Sequence, residues 1–144
     1  MRSNLITGSA LFLLIAAGCT TYHAAGLSGG FSETQLSPTT YEVRFQGNGY
    51  TSAARVQEFL LRRAAELTLE HGYRYFAISD QRGQAPTWGA TFHNNSGTVR
   101  FLSSAAELPV AADAVIVIKD TDDAAGGRLS PAAKATIEKL TSGK

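Results

Sequence analysis

The sequence predicts a two-layer α+β domain, with a mixed or antiparallel sheet of about five strands, one long helix on one face and a short C-terminal helix beside it. Three observations carry that expectation. Ala53, Val56, Leu60, Ala64 and Leu67 recur at three- and four-residue steps, with Phe59 at the edge of the stripe, which predicts one amphipathic helix from Thr51 to His71. Short apolar or alternating runs bounded by turn residues lie on both sides of it, as strands do. Ser130-Pro131 places a capping hydroxyl before a proline suited to the first helical position, and Ala133, Ile137 and Leu140 then fall on one face.

In chain order, Phe31 to Thr40 is too polar for a buried strand and reads as an extended arm lying on the domain, broken by Pro38. Tyr41 to Gln46 alternates strictly and presents Tyr41, Val43 and Phe45 to one face. Gly47-Asn48-Gly49 turns the chain into the helix, where Thr51 or Ser52 supplies an N-cap oxygen. His71 and Gly72 end it, because glycine reaches the left-handed region cheaply. Tyr73 to Ser79 is the next strand, and as a neighbour of the first it would run parallel to it across a right-handed crossover. Trp88 to Phe92 and Thr98 to Leu102 flank His93-Asn94-Asn95-Ser96-Gly97, the pattern of a hairpin with a glycine-containing loop. Ser103 to Ala112 reads as a loop with one helical turn before Pro109. Ala114 to Ile118 is a continuous β-branched run and predicts a strand covered on both faces or central in the sheet.

At 144 residues the chain has room for one domain. Its 44% apolar and 17% charged residues are ordinary globular composition, which excludes disorder as the main state. Without Arg2, which lies in a leader, twelve basic residues face twelve acidic ones, so charge makes no case for nucleic acid. Cys19 is the only cysteine, which excludes an intramolecular disulfide and a thiolate metal cluster.

The position of Cys19 is informative. Arg2 followed by the apolar run Leu11 to Ala17 has the form of an export segment, too short for a bilayer that asks for about 20 apolar residues. Ile15-Ala16-Ala17-Gly18-Cys19 resembles the bacterial lipobox, with Ala16 where leucine is usual. That resemblance implies a signal peptide over residues 1–18, acylation of Cys19 with palmitate-type chains, and anchoring to a membrane. Thr20 in place of aspartate implies sorting to the outer membrane, facing the periplasm. Residues 19–30, small and rich in glycine and serine, read as a flexible tether, and residues 31–144 as the domain.

Gly30-Phe31-Ser32-Glu33-Thr34-Gln35-Leu36-Ser37-Pro38, the run from Tyr41 to Thr51, Leu60 to Thr68 and Gly72 to Phe76 together resemble a family of small uncharacterised proteobacterial lipoproteins. The likeness covers about a third of the chain, from Gly30 to Phe76, and loosens in the C-terminal half. It implies an acylated envelope protein and brings no catalytic residues with it.

Motifs for chemistry are weak. Gly26-Leu27-Ser28-Gly29-Gly30 matches G-x-S-x-G in letters, but no strand precedes Ser28 and no helix follows it, so it reads as linker. His23, His71 and His93 have no second ligand at helical or strand spacing, and no metal or cofactor is expected. Asp120-Thr121-Asp122-Asp123 lacks the later oxygen ligands of a calcium loop, with Ala124 and Pro131 in their places. Gly47-Asn48-Gly49 before a helix start offers an anion its N–H groups, and serves equally as a plain turn.

Two features bear on function. Arg63 falls within the apolar stripe, where an unpaired charge is costly. The simpler expectation is that it snorkels at the sheet edge, and the sharper one is a paired arginine with Glu42 or Glu33 as partner. Leu61, Ala65 and Leu69 form a second stripe on the opposite side of the helix. It is covered either by the C-terminal helix or the arm, or by a partner, another copy or an envelope protein. These features give two expectations of function: a membrane-tethered envelope module that binds or braces without catalysis, or an envelope enzyme with a site assembled from His93, Asp80 and Arg82.

Overall fold

The computed structural model describes residues 22–26, 29–84, 93–122 and 128–142. Alternation decides which strand residues turn inward. In β2 (Thr40–Gln46), Tyr41, Val43 and Phe45 are buried, and in β4 (Asn94–Leu102) so are Gly97, Val99 and Phe101. These residues pair in register, with Tyr41 opposite Val99 and Val43 opposite Gly97, and present one apolar surface. The helix α1 (Ala53–Glu70) lies on it through Val56, Phe59, Leu60, Ala64 and Leu67, as its spacing predicts. Burying side chains of this size contributes about 1.5–3 kcal/mol each.

The helix ends follow local chemistry. Ser52 is the N-cap, its hydroxyl accepting from the Arg55 N–H at 3.2 Å. Gly72 has φ +80°, its N–H reaches the Leu69 carbonyl at 3.0 Å, and the Tyr73 N–H reaches that of Thr68 at 2.9 Å. This double closure satisfies two terminal carbonyls and needs the left-handed residue that glycine supplies.

The sheet has five antiparallel strands in the order β1-β2-β4-β3-β5, where β1 is Gly30–Ser37, β3 is Tyr75–Gln84 and β5 is Ala112–Asp113. The α+β class, the sheet of five strands, the long helix and the short C-terminal helix (α3, Pro131–Ser142) agree with the sequence. Ser130 caps α3, its hydroxyl accepting from the Ala133 N–H at 3.2 Å.

Several strand assignments are corrected. The expected arm is the edge strand β1, paired with β2 over nearly its whole length. Its polar composition suits an edge, since its outward face stays in water. Strands β2 and β3 are not neighbours: β4 runs antiparallel between them, placing Val99 and Phe101 under α1 beside the inward residues of both. Residues 94–97 belong to β4 itself rather than to a hairpin loop, and β3 continues to Gln84. A bulge at Asp80, which has φ +52°, adds a residue to β3 between Ser79 and Arg82. The expected strand Trp88 to Phe92 lies outside the described residues.

The run Ala114 to Ile118 is helical, forming α2 (Ala114–Asp120). Asp113 caps it, accepting from the Val115 N–H at 2.9 Å, and Asp113 is itself held by Arg74 at 2.8 Å. A helix buries Ala114 and Ile118 together, four residues apart, while Ile116 remains 57% exposed. A strand would have put all three on one face, so packing on α1 overrides β-propensity. Between β4 and β5 a 3₁₀ turn (Ala105–Glu107) is closed by reciprocal Ser104 and Glu107 bonds.

Candidate functional site

From Arg62 to Leu69, α1 is buried at eight consecutive positions, so this part of the helix is enclosed on all sides. Arg62, Arg63 and Glu66 are among those residues, and each charge must then meet partners inside. Arg62 has no exposed surface. Its Nε donates to Glu66 Oε1 at 2.9 Å, Nη1 to the Ile118 carbonyl at 2.8 Å, and Nη2 to the Arg128 carbonyl at 3.1 Å. One guanidinium thereby joins α1, the C-terminal end of α2 and the segment leading into α3. A cation there also complements the partial negative charge of the last carbonyls of α2. The planar fork of arginine suits three such directions, where lysine would offer a point charge.

Arg63 faces the sheet edge. It grips Glu33 of β1 through two bonds, Nε at 2.9 Å and Nη2 at 2.8 Å, and donates to Glu66 and Glu70 at 3.2 Å. Its guanidinium carbon stands 4.6 Å from the centre of the Phe31 ring. The snorkelling expectation is therefore corrected: Arg63 is 8% exposed and paired, with Glu33 as the partner, while Glu42 pairs with Arg44 instead. Burial alone lowers the pKa of Arg63, but the bond from Glu33 and the charges of Glu70 and Glu33 outweigh it and raise the pKa above the usual arginine value.

Glu66 takes a third donor, the hydroxyl of Tyr22. The Tyr22 ring packs at 5.1 Å from Phe31 and 5.5 Å from Phe59. Burial first, then the charge and hydrogen bond of Glu66, push the phenol well above the ordinary tyrosine range. The segment around Tyr22 is fastened by its backbone too: the Phe31 N–H donates to the His23 carbonyl at 2.9 Å and the Ala25 N–H to the Phe31 carbonyl at 2.7 Å. Gly29 and Gly30, at φ +100° and +120°, fold it back against β1, where a Cβ would meet backbone at 2.3 and 2.5 Å. The flexible-tether expectation for residues 19–30 is thus corrected for Tyr22 to Gly26, which dock on the domain. Cys19, Leu27 and Ser28 lie outside the described residues.

Leu69 and Ala65 are fully buried and Leu61 is half-buried, on the side of α1 where α2 and α3 pack. Of the two covers the sequence allows, Ala65 and Leu69 have the one from within the chain rather than a partner, and Leu61 is covered in part.

Part of the other face of the sheet is open and polar, whereas Ala77 and Leu102 on the same face are buried. Ser32, Arg44, Ser96 and Arg82 stand in one row across four strands, with Ser32 opposite Arg44, Arg44 opposite Ser96 and Ser96 opposite Arg82. They line an open depression of about 370 Å³. Arg82 and Ser96 also line an adjoining hollow of about 90 Å³, with Asp80 and Glu42. Asp80 and Arg82 thus come together as the enzyme expectation requires, but His93 is not among the residues lining either hollow; its backbone carbonyl accepts from the Gly47 N–H at 2.9 Å. His71 serves the core: its Nδ1–H donates to the Leu67 carbonyl at 2.8 Å and its Nε2 meets the Tyr41 hydroxyl at 2.9 Å.

Among the described residues no group of three or more histidine, cysteine or acidic side chains is placed to hold a metal ion. In the acidic loop, Thr121 bonds the Val117 carbonyl at 2.7 Å and Asp122 lies 3.5 Å from Arg62. No helix among the described residues is long and apolar enough to cross a membrane. Sequence reasoning singled out Arg63 and missed Arg62, Glu66 and Tyr22; the signal that could have found the first two is the spacing of Arg62, Arg63, Glu66 and Glu70, three and four residues apart on α1. The sequence leaves open which of these charges would be enclosed. No family model, curated protein or solved structure matches the chain.

Proposed function

We propose that the protein is a membrane-anchored lipoprotein of the bacterial envelope that binds or braces a partner without catalysis, held through an acylated Cys19 at the outer membrane and facing the periplasm. The lipobox-like run ending at Cys19 and the resemblance to small proteobacterial lipoproteins support the anchor. The observation that carries the reading further is the docking of Tyr22. Its hydroxyl bonds Glu66 and its ring packs on Phe31 and Phe59, three residues after the cysteine. Three residues of extended chain reach about 10 Å. An acyl group on Cys19 therefore holds the domain within about 10 Å of the lipid rather than at the end of a long leash. Each buried acyl CH₂ contributes about 0.8 kcal/mol, and two or more chains make the attachment stable.

Metabolic labelling with a fatty acid, on the native chain and on Cys19→Ser, tests the anchor. Label on the native chain alone is the expected result. An unlabelled native chain withdraws the anchor.

A further inference from the structure

We propose that the depression on the outer sheet face, together with the hollow adjoining it, binds a small zwitterion, an α-amino acid or a short peptide with free ends, between Arg44 and Arg82 on one side and Glu42 and Asp80 on the other. The site deepens the binding half of the function proposed above and is independent of the anchor.

Arg44 and Arg82 occupy the same cross-strand row on either side of Ser96, two strand spacings or roughly 10 Å apart. Glu42 sits beside Arg44 on β2, and the bulge at Asp80 brings a second carboxylate next to Arg82. The depression holds Arg44, Arg82 and Glu42, and the hollow that adjoins it through Glu42, Arg82 and Ser96 adds Asp80, so across the two neither a simple anion nor a simple cation is matched in charge. A ligand bearing one carboxylate and one ammonium is.

The Glu42–Arg44 pair is open to exchange. At 3.0 Å with side chains 33% and 65% exposed, it is a solvated pair of the kind that contributes little to stability. A ligand carboxylate can therefore accept from the guanidiniums, and its ammonium donate to the carboxylates, at small cost to the fold.

The volume of about 370 Å³ falls within the range of small-ligand pockets.

The probe is alanyl-alanine, titrated into the full chain in detergent and followed through the backbone amide resonances of Ser32, Arg44, Arg82 and Ser96. Saturable binding is expected with a Kd on the order of 1 mM. N-acetylation or C-terminal amidation of the probe should each weaken it roughly tenfold, as should Arg82→Gln at an exposed position or Glu42→Gln at a half-buried one outside the apolar core. The proposal is overturned if the three peptides bind alike, if both substitutions leave binding unchanged, if no saturation is reached, or if inorganic phosphate fills the same site more tightly. Acylation of Cys19 is read separately, so loss of the label with peptide binding intact removes the anchor and leaves the site.

Discussion

Arg62 donates to Glu66 one helical turn away at 2.9 Å, and both side chains are withdrawn from water, at 0% and 5% exposure. An ion pair in that position is costly to desolvate, so its remaining donors and acceptors must be satisfied for it to persist. Here they are: the guanidinium also reaches the Ile118 and Arg128 carbonyls, and the carboxylate also receives Arg63 and Tyr22. The cluster joins the N-terminal segment, β1, α1, α2 and the approach to α3 at one point.

Removing one member leaves the others buried and uncompensated. Arg62→Met should lower unfolding stability by about 3–5 kcal/mol in urea titration. Arg62→Lys should recover only part of that loss, because an ammonium cannot meet Glu66 and two separate carbonyls in the same geometry. Equal stability of Arg62→Met and the native chain would refute a supporting role for the cluster.

Arg63 gives a second, separable test. Its two-pronged grip on Glu33 ties α1 to the edge strand, so Arg63→Met should cost about 3 kcal/mol. A double-mutant cycle with Glu33→Gln should return a coupling energy of roughly 1–3 kcal/mol. A coupling near zero would mean that β1 is held by its backbone pairing with β2 alone.

Tyr22 predicts a pH dependence. In the folded chain burial, the Glu66 charge and the Glu66 hydrogen bond raise its pKa, so it stays protonated where an unfolded chain releases its proton. The folded state then holds more protons above pH ~10, and stability falls with rising pH there by about 1.4 kcal/mol per unit. Below the ordinary tyrosine pKa the contribution is fully present. Tyr22→Phe should remove that slope, and should cost about 1 kcal/mol at neutral pH. Denaturant melts of both forms between pH 8 and pH 11 (about three units around the ordinary value) measure it.

Leu69 lies on the stripe that the sequence left open to a partner. Since it is fully buried inside the chain, Leu69→Ala should cost about 2–4 kcal/mol, with a smaller loss for half-buried Leu61→Ala. Sedimentation velocity should show the same association state for both variants and the native chain. Unchanged stability with an altered association state would return the stripe to a partner.

Much of the fold was legible because its signals are local. The stripe from Ala53 to Leu67 and the Gly72 stop define α1, the alternation of Tyr41, Val43 and Phe45 defines β2, and Ser130-Pro131 starts α3. Each depends on backbone geometry and side-chain period, which neighbours in sequence fix between them. The α2 run misleads for the opposite reason: its residues favour a strand, and only the cap at Asp113 and burial of Ala114 and Ile118 on α1 make it a helix.

The sequence by itself determined the class of the fold, the long helix and its ends, and a cysteine in a lipobox-like setting. Only the tertiary structure decided that Arg62, Arg63 and Glu66 are buried partners, that Tyr22 is fastened to them, and that Arg44, Arg82, Glu42 and Asp80 line two adjoining hollows. The physical reason is distance along the chain. Helical and strand periods are set within a few residues, whereas the enclosure of a charge depends on segments 30 to 66 positions away, as Glu33 is from Arg63 and Arg128 is from Arg62.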